Sequence, residues 1–292
     1  MEYICTLCPR NCGAKRTDTQ NIGGYCRLPL KLSVCRAMLH FWEEPPISGK
    51  NGSGAIFFAG CPLKCCFCQN AAISRGAVGR EITPQRLSEI FRELEEQGAH
   101  NINLVSPTPY VPLILEALRI YQPKIPIVYN TGGYETEEVI EELRDFVDIF
   151  LFDFKFFSPE RAARYAKAEN YPSVVKKAIL KAAGYIKAPQ YDEDGMLEKG
   201  IIIRHLLLPS GTKDACKIID WVRDNCSTAL FSLMNQYTVM PDIGFSELSR
   251  KVTPHEYRKV LDYMIESGLD GFVQEAESAS QEYIPDFDGS GV

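Results

Sequence analysis

Gly60-Cys61-Pro62-Leu63-Lys64-Cys65-Cys66-Phe67-Cys68-Gln69-Asn70 directly follows a short apolar run, Ala55-Ile56-Phe57-Phe58. That run reads as a buried strand ending at a glycine. Cys61, Cys65 and Cys68 are spaced so that one tight loop can turn three thiolates onto a single cube-shaped iron–sulfur cluster, leaving the fourth iron without a protein ligand. A structural zinc loop would want a fourth ligand nearby. Cys66 is a poor one, because consecutive side chains rarely point at the same metal. The loop therefore reads as a cluster site with one open iron.

Outward from this loop, strand and helix signals alternate. Thr83 to Gln97 has helical spacing, with Thr83 as N-cap, Leu87, Ile90, Phe91 and Leu94 on one face, and Gly98 as terminator. Strand signals recur at 101–105, 127–129, 149–152, 201–208 and 230–234. Helical patterns cover 111–121, 137–146, a long stretch 159–186 interrupted at Pro172, 213–225 and 254–267. Six strands joined by crossover-length helices predict a parallel sheet with right-handed connections. Chemistry placed just after the strands favours a partial (β/α)6 TIM-like barrel over a doubly wound sheet.

The first 45 residues differ. They hold five of the 11 cysteines, with little periodicity. A segment so short buries little apolar surface unaided and needs a metal to order it. Cys5, Cys8, Cys12 and Cys26 make a complete tetrahedral set, with Gly23 and Gly24 allowing the turn. Structural zinc and an auxiliary iron–sulfur cluster both fit this set. Cys35, Cys66, Cys216 and Cys226 read as ordinary buried thiols. Three segments follow: a metal-binding extension (1–45), the barrel (46–275) and a C-terminal tail (276–292) packing at its mouth.

Composition agrees with a cytoplasmic enzyme. The chain has 292 residues, 45% hydrophobic and 24% charged, with a net charge of −6. That balance gives no support for binding nucleic acid or anionic membranes. No apolar run reaches membrane-spanning length, and the N-terminus carries no secretory pattern. In a reducing compartment an odd cysteine count favours metal binding over disulfides.

The spacing Cys-x3-Cys-x2-Cys, with Phe67 before the last cysteine, resembles the radical S-adenosylmethionine (SAM) signature. A closer resemblance is to the pyruvate formate-lyase activating enzyme-like proteins with a cysteine-rich N-terminus. It rests on Cys-x-Leu-Cys-Pro-Arg-x-Cys near the N-terminus, Glu-Glu-Pro-Pro-Ile-Ser-Gly from Glu43, and Val-Tyr-Asn-Thr-x-Gly-Tyr-Glu from Val128. Asp153-x-Lys155, Met234-Asn-Gln-Tyr237 and Tyr283-Ile-Pro-Asp-Phe-Asp288 continue it. The resemblance implies a 4Fe–4S cluster, SAM, and a flavodoxin or ferredoxin-type electron donor.

It also implies a SAM site made of Phe67, Ser106, Thr108, Asn130, Thr131, Asp153, Arg204 and Gln236. Ser106 and Thr108 stand where the family usually carries Gly-Gly-Glu, and Asn130 replaces the activating enzymes' aspartate. Asp153 and Lys155, two apart and so on one side of the strand, are expected to pair at the barrel mouth as catalytic residues. Glu43, Glu44, Tyr110 and Asn235 are candidate substrate contacts, with Glu275 and Asp286 in the same polar set. Acidic residues there suit a small molecule with N–H donors. A lyase-type reaction, for example on a modified base such as queuine, is the expectation by analogy. The alternative is an activase that installs a glycyl radical on a partner glycyl radical enzyme.

Overall fold

The computed structural model describes residues 3–17, 19–76, 79–241, 243–273 and 285–292. Near the N-terminus, β1 (Tyr3–Ile4), β2 (Lys15–Arg16) and β3 (Asn21–Ile22) form a small antiparallel sheet. The chain then enters the main sheet through β4 (Leu32–His40), a nine-residue strand antiparallel to β5 (Ser53–Phe58). Residues 32–40, which the sequence reading assigns to the extension, therefore belong to the sheet. Leu32, Val34 and Cys35 are buried in it. Between β4 and β5 lies the short helix α1 (Pro45–Ser48).

Beyond β5 come α2 (Ala71–Ser74), β6 (Arg80–Ile82), α3 (Pro84–Glu96) and β7 (Ile102–Val105). The series continues with α4 (Val111–Ile120), β8 (Ile127–Thr131), α5 (Glu137–Leu143), β9 (Ile149–Asp153), α6 (Pro159–Ala166) and α7 (Tyr171–Tyr185). It ends with β10 (Gln190–Tyr191), β11 (Leu197–Leu206), α8 (Thr212–Asn225), β12 (Leu230–Met234), α9 (Pro254–Ser267) and β13 (Gly271–Val273). Strand order across the sheet is β13-β12-β11-β9-β8-β7-β5-β4-β6, with β10 attached to β11. From β5 to β13 every pairing along this path is parallel; β4 and β6 add an antiparallel edge. All six expected strands are present, and β13 is an additional three-residue strand too short to announce itself.

Local chemistry explains the helix ends. Thr83 caps α3 by accepting from the Arg86 amide at 3.1 Å. Thr253 and Glu256 form a reciprocal capping box on α9. The expected interruption within 159–186 falls earlier than Pro172. Lys167 turns left-handed (φ 53°) and ends α6, and Pro172 sits in the first turn of α7, where its missing N–H is harmless.

The sheet curls. Val128, Ile149, Leu151, Ile202 and Leu230, from four neighbouring strands, gather in one buried cluster with Ile47 of α1. One cavity is lined from Phe57 and Phe58 of β5 through Val105, Asn130, Asp153 and Arg204 to Ser232 of β12, which a flat sheet would not allow. Asn101 secures α1 by donating from Nδ2 to the Ile47 carbonyl at 2.7 Å. The described tail residues lie along β4: Ala37 donates to Ser290 O at 3.1 Å, and the Phe287 ring meets Phe57 edge-on at 5.5 Å. Part of the expected tail, 276–284, lies outside the described residues, as does Glu275. Among the described residues no helix is long and apolar enough to cross a membrane.

Candidate functional site

The six residues of β5 are all buried, and the chain leaves them through Gly60 at φ 80°. A Cβ at Gly60 would stand 2.2 Å from Leu28 Cδ1, so the turn into the loop needs glycine. Cys61, Cys65 and Cys68 then line one cavity of about 460 Å3, within the range of small-ligand sites. Cys66 does not line it; its amide donates instead to the Tyr165 carbonyl at 2.9 Å. Burial raises the Cys61 and Cys65 thiols, while Lys155 opposes that by favouring their thiolates. Phe67 also lines the cavity, its ring edge-on to Phe156 at 5.9 Å.

Beside the thiols, the cavity wall carries an ionic network built from three strands and the segment before α1. Lys155 Nζ donates to Asp153 Oδ2 at 2.6 Å, and Arg204 Nε donates to Asp153 Oδ1 at 2.8 Å. Arg204 Nη1 reaches Glu43 Oε2 at 2.8 Å, and Nη2 reaches Asn130 Oδ1 at 2.8 Å. Asn130 Nδ2 closes the ring on Glu43 Oε1 at 3.1 Å. Glu44 Oε2 adds a third carboxylate 3.7 Å from Arg204 Nη1. Burial alone would raise Asp153, but Arg204 and Lys155 outweigh it and hold the carboxyl at about 2. Glu44 shifts the other way: burial raises it, with Arg204 opposing and Glu43 adding to the rise.

Arg204 thus reaches the cavity wall with its guanidinium already committed to protein groups. The sequence expectation names Arg204 at the SAM site but does not foresee the acidic residues that the segment before α1 brings against it. Ser106, Thr131 and Gln236 line the cavity as expected. Ser106 is left-handed (φ 59°), a conformation glycine would adopt without strain.

Thr108, Tyr110 and Asn235 do not line the cavity. Thr108 is buried behind the wall, its hydroxyl donating to Glu135 Oε1 at 2.6 Å. Tyr110 is fully buried with its ring 5.6 Å from Phe58. Both follow β7 in a single helical turn whose three residues are all buried. Asp286 is exposed beside β4, its carbonyl accepting from Arg36 Nη1.

The structure adds residues that sequence reasoning missed. Ser232 is the lone polar residue of β12, sits beside Arg204 in register and lines the cavity with Trp42 and Phe272. Its signal was a single serine in an apolar strand. Glu135 is buried and accepts the hydroxyls of Thr108 and Thr131 on one oxygen. Burial carries its carboxyl up to about 7 against those two hydrogen bonds. Glu44 Oε1, Glu135 Oε2 and Ser232 Oγ are all buried without a hydrogen-bond partner.

Residues 55–197 match the radical SAM superfamily. The chain belongs to that superfamily. Over 280 residues it is 31% identical to an uncharacterised protein of Methanocaldococcus jannaschii, covering 91% of this chain and 75% of that one. A pyruvate formate-lyase-activating enzyme of Listeria monocytogenes is 25% identical over 173 residues, 54% of this chain and 63% of the enzyme. The matched part is therefore less than two thirds of that relative. A radical SAM methyltransferase of Sphaerobacter thermophilus, 14% identical, shares the fold with a TM-score of 0.53 over 87% of this chain and 81% of that one.

This radical SAM protein is thus an enzyme that performs radical chemistry, and the family implies a 4Fe–4S cluster and SAM. The residues fit both groups. Three thiols face one cavity with the fourth neighbouring cysteine turned away, which leaves one iron of a cubane free. Lys155 supplies positive charge beside the thiols, and the cavity extends past them along the strand ends.

Cys5, Cys8, Cys12 and Cys26 line a second, small void, together with Arg16 and with Pro62 of the cluster loop. Among the described residues, neither this set nor the cluster loop stands in ready coordinating geometry. Since the family implies a cluster on the loop, that geometry does not separate the two sets.

Proposed function

We propose that the chain cleaves SAM reductively and directs the resulting radical at a small molecule held in the same cavity, in a lyase-type reaction. Bound together, the cluster and SAM supply a 5′-deoxyadenosyl radical that abstracts hydrogen. Cys61, Cys65 and Cys68 hold the cluster, and a flavodoxin or ferredoxin-type protein delivers the electron. Ser106, Asn130, Thr131 and Gln236 line the SAM end, and Asp153 with Lys155 keeps an ion pair beside it. We read the curled parallel sheet as a partial (β/α)6 barrel, with its reactive groups at the C-terminal ends of the strands.

One observation carries the small-molecule reading. Glu44 and Ser232 both line the cavity; Glu44 Oε1 and Ser232 Oγ make no full hydrogen bond, although the Ser232 hydroxyl lies close enough to favour the Glu44 carboxylate. A buried polar atom left unpaired costs about 1–3 kcal/mol, which a substrate bearing N–H or O–H donors would recover. Trp42, Phe57 and Phe272 line the same region and offer flat apolar surface to an unsaturated or ring-bearing molecule. Residues of the segment before α1, clamped by Arg204, line the cavity, and we read that segment as narrowing the room for a peptide loop.

The test is reductive SAM cleavage with fractions of a cell extract. The small-molecule fraction should accelerate 5′-deoxyadenosine formation and move deuterium from labelled substrate into it. If instead only a glycyl radical enzyme stimulates cleavage, and its glycyl radical appears in the electron paramagnetic resonance spectrum, the small-molecule reading fails.

A further inference from the structure

Arg16 is fully buried, yet no carboxylate among the described residues lies within ion-pair distance of it. Its guanidinium donates to three neutral carbonyls: Nε to Leu28 O at 3.0 Å, Nη1 to Pro109 O at 2.7 Å and Nη2 to Pro29 O at 2.8 Å. Nη1 also faces the Cys5 sulfur at 3.8 Å. A buried charge without a counter-ion is strongly unfavourable, so this arginine calls for a negative group in the adjoining void. That void is lined by Cys5, Cys8, Cys12 and Cys26. Asn21 Nδ2 donates to Leu28 O at 2.6 Å and also lies 3.9 Å from the Cys26 sulfur, within reach of a thiolate there.

We infer that Cys5, Cys8, Cys12 and Cys26 form a closed tetrathiolate metal centre, that Arg16 is its counter-ion, and that through Arg16 this centre braces the turn after β7, which begins with the cavity residue Ser106. Four thiolates around a zinc ion, or around an oxidised cubane of iron and sulfide, leave a dianion in either case. The shared chemistry is a soft, thiophilic metal with no open coordination position. The link to the cavity is the Arg16–Pro109 bond, three residues beyond Ser106. A second link is Arg10, whose Nε donates to the carbonyl of Pro62, directly after Cys61, at 2.9 Å.

The first test uses the full chain carrying Cys61→Ala, Cys65→Ala and Cys68→Ala, purified without oxygen, so that only the N-terminal set can hold metal. Zinc, iron and sulfide are then measured. One zinc per chain, or iron and sulfide at the stoichiometry of one cluster, is expected; metal below about a tenth of that overturns the centre. In the same background, Arg16→Met should weaken metal retention against a chelator about tenfold or more, while Arg16→Lys retains it. Equal retention by Arg16→Met overturns the counter-ion role, and the Arg16→Lys protein guards against a folding defect. Finally, Cys12→Ala in the otherwise intact enzyme should weaken SAM binding about tenfold with the main cluster's visible absorption unchanged. An unchanged SAM affinity overturns the coupling and leaves the radical SAM reading untouched.

Discussion

The two ends of the main cavity are built differently. At the cluster end, Asp153 is bonded to both Lys155 and Arg204, and Arg204 Nε and both Nη atoms have partners of their own. On the other flank of Arg204, Glu44 and Ser232 are buried, and each keeps an oxygen that makes no full hydrogen bond. The first arrangement is complete without substrate, as a preorganised generator should be. The second is complete only when a donor-bearing molecule arrives. Under the proposed function, the difference would separate making the radical from choosing its target.

The largest expected effect belongs to the cluster end. Cys65→Ala should reduce SAM cleavage to background, measured as 5′-deoxyadenosine by chromatography. Next is the clamp between the two ends. Arg204→Met removes the cation shared by Asp153, Glu43 and Glu44, and should cost about 3–5 kcal/mol of stability in denaturant titration. A loss under about 1 kcal/mol would show that the three carboxylates do not depend on it.

A smaller effect is set by pH. Glu135 has its folded-state value raised to about 7 by burial. Its contribution is therefore fully present below the ordinary glutamate value and is lost as pH rises through about 7. Between about pH 5 and pH 8.5 the wild-type chain should lose about 3 kcal/mol more stability than Glu135→Gln. Parallel pH profiles of the two proteins would remove Glu135 from the account. The smallest effect tests the substrate end: Glu44→Gln should raise the substrate KM about tenfold, with substrate-free SAM cleavage unchanged. If both fall together, the two ends are not separate.

Legibility from sequence followed the same division. The cluster loop, the Asp153–Lys155 pair and the six strands were readable because each depends on neighbours a few residues apart: thiol spacing, strand alternation, helix caps. Arg204 was readable as a cavity residue, but its partners Glu43 and Glu44 come from 160 or so positions away across the curled sheet. Thr108 and Tyr110 were misplaced because the turn after β7 is a single helical turn that buries both, and no local pattern sets its direction. Ser232 and Glu135 stood in view as one serine in an apolar strand and one acid in a quoted motif. Their roles depend on burial, which sequence spacing does not report.

The most direct measurement is 5′-deoxyadenosine formation by the full chain, reconstituted anaerobically with iron and sulfide and supplied with SAM and a strong reductant. The account predicts 5′-deoxyadenosine and methionine in equal amounts from the wild-type protein, and neither from Cys61→Ala. A wild-type chain that carries a complete cluster on Cys61, Cys65 and Cys68, binds SAM and yet forms no 5′-deoxyadenosine would contradict it.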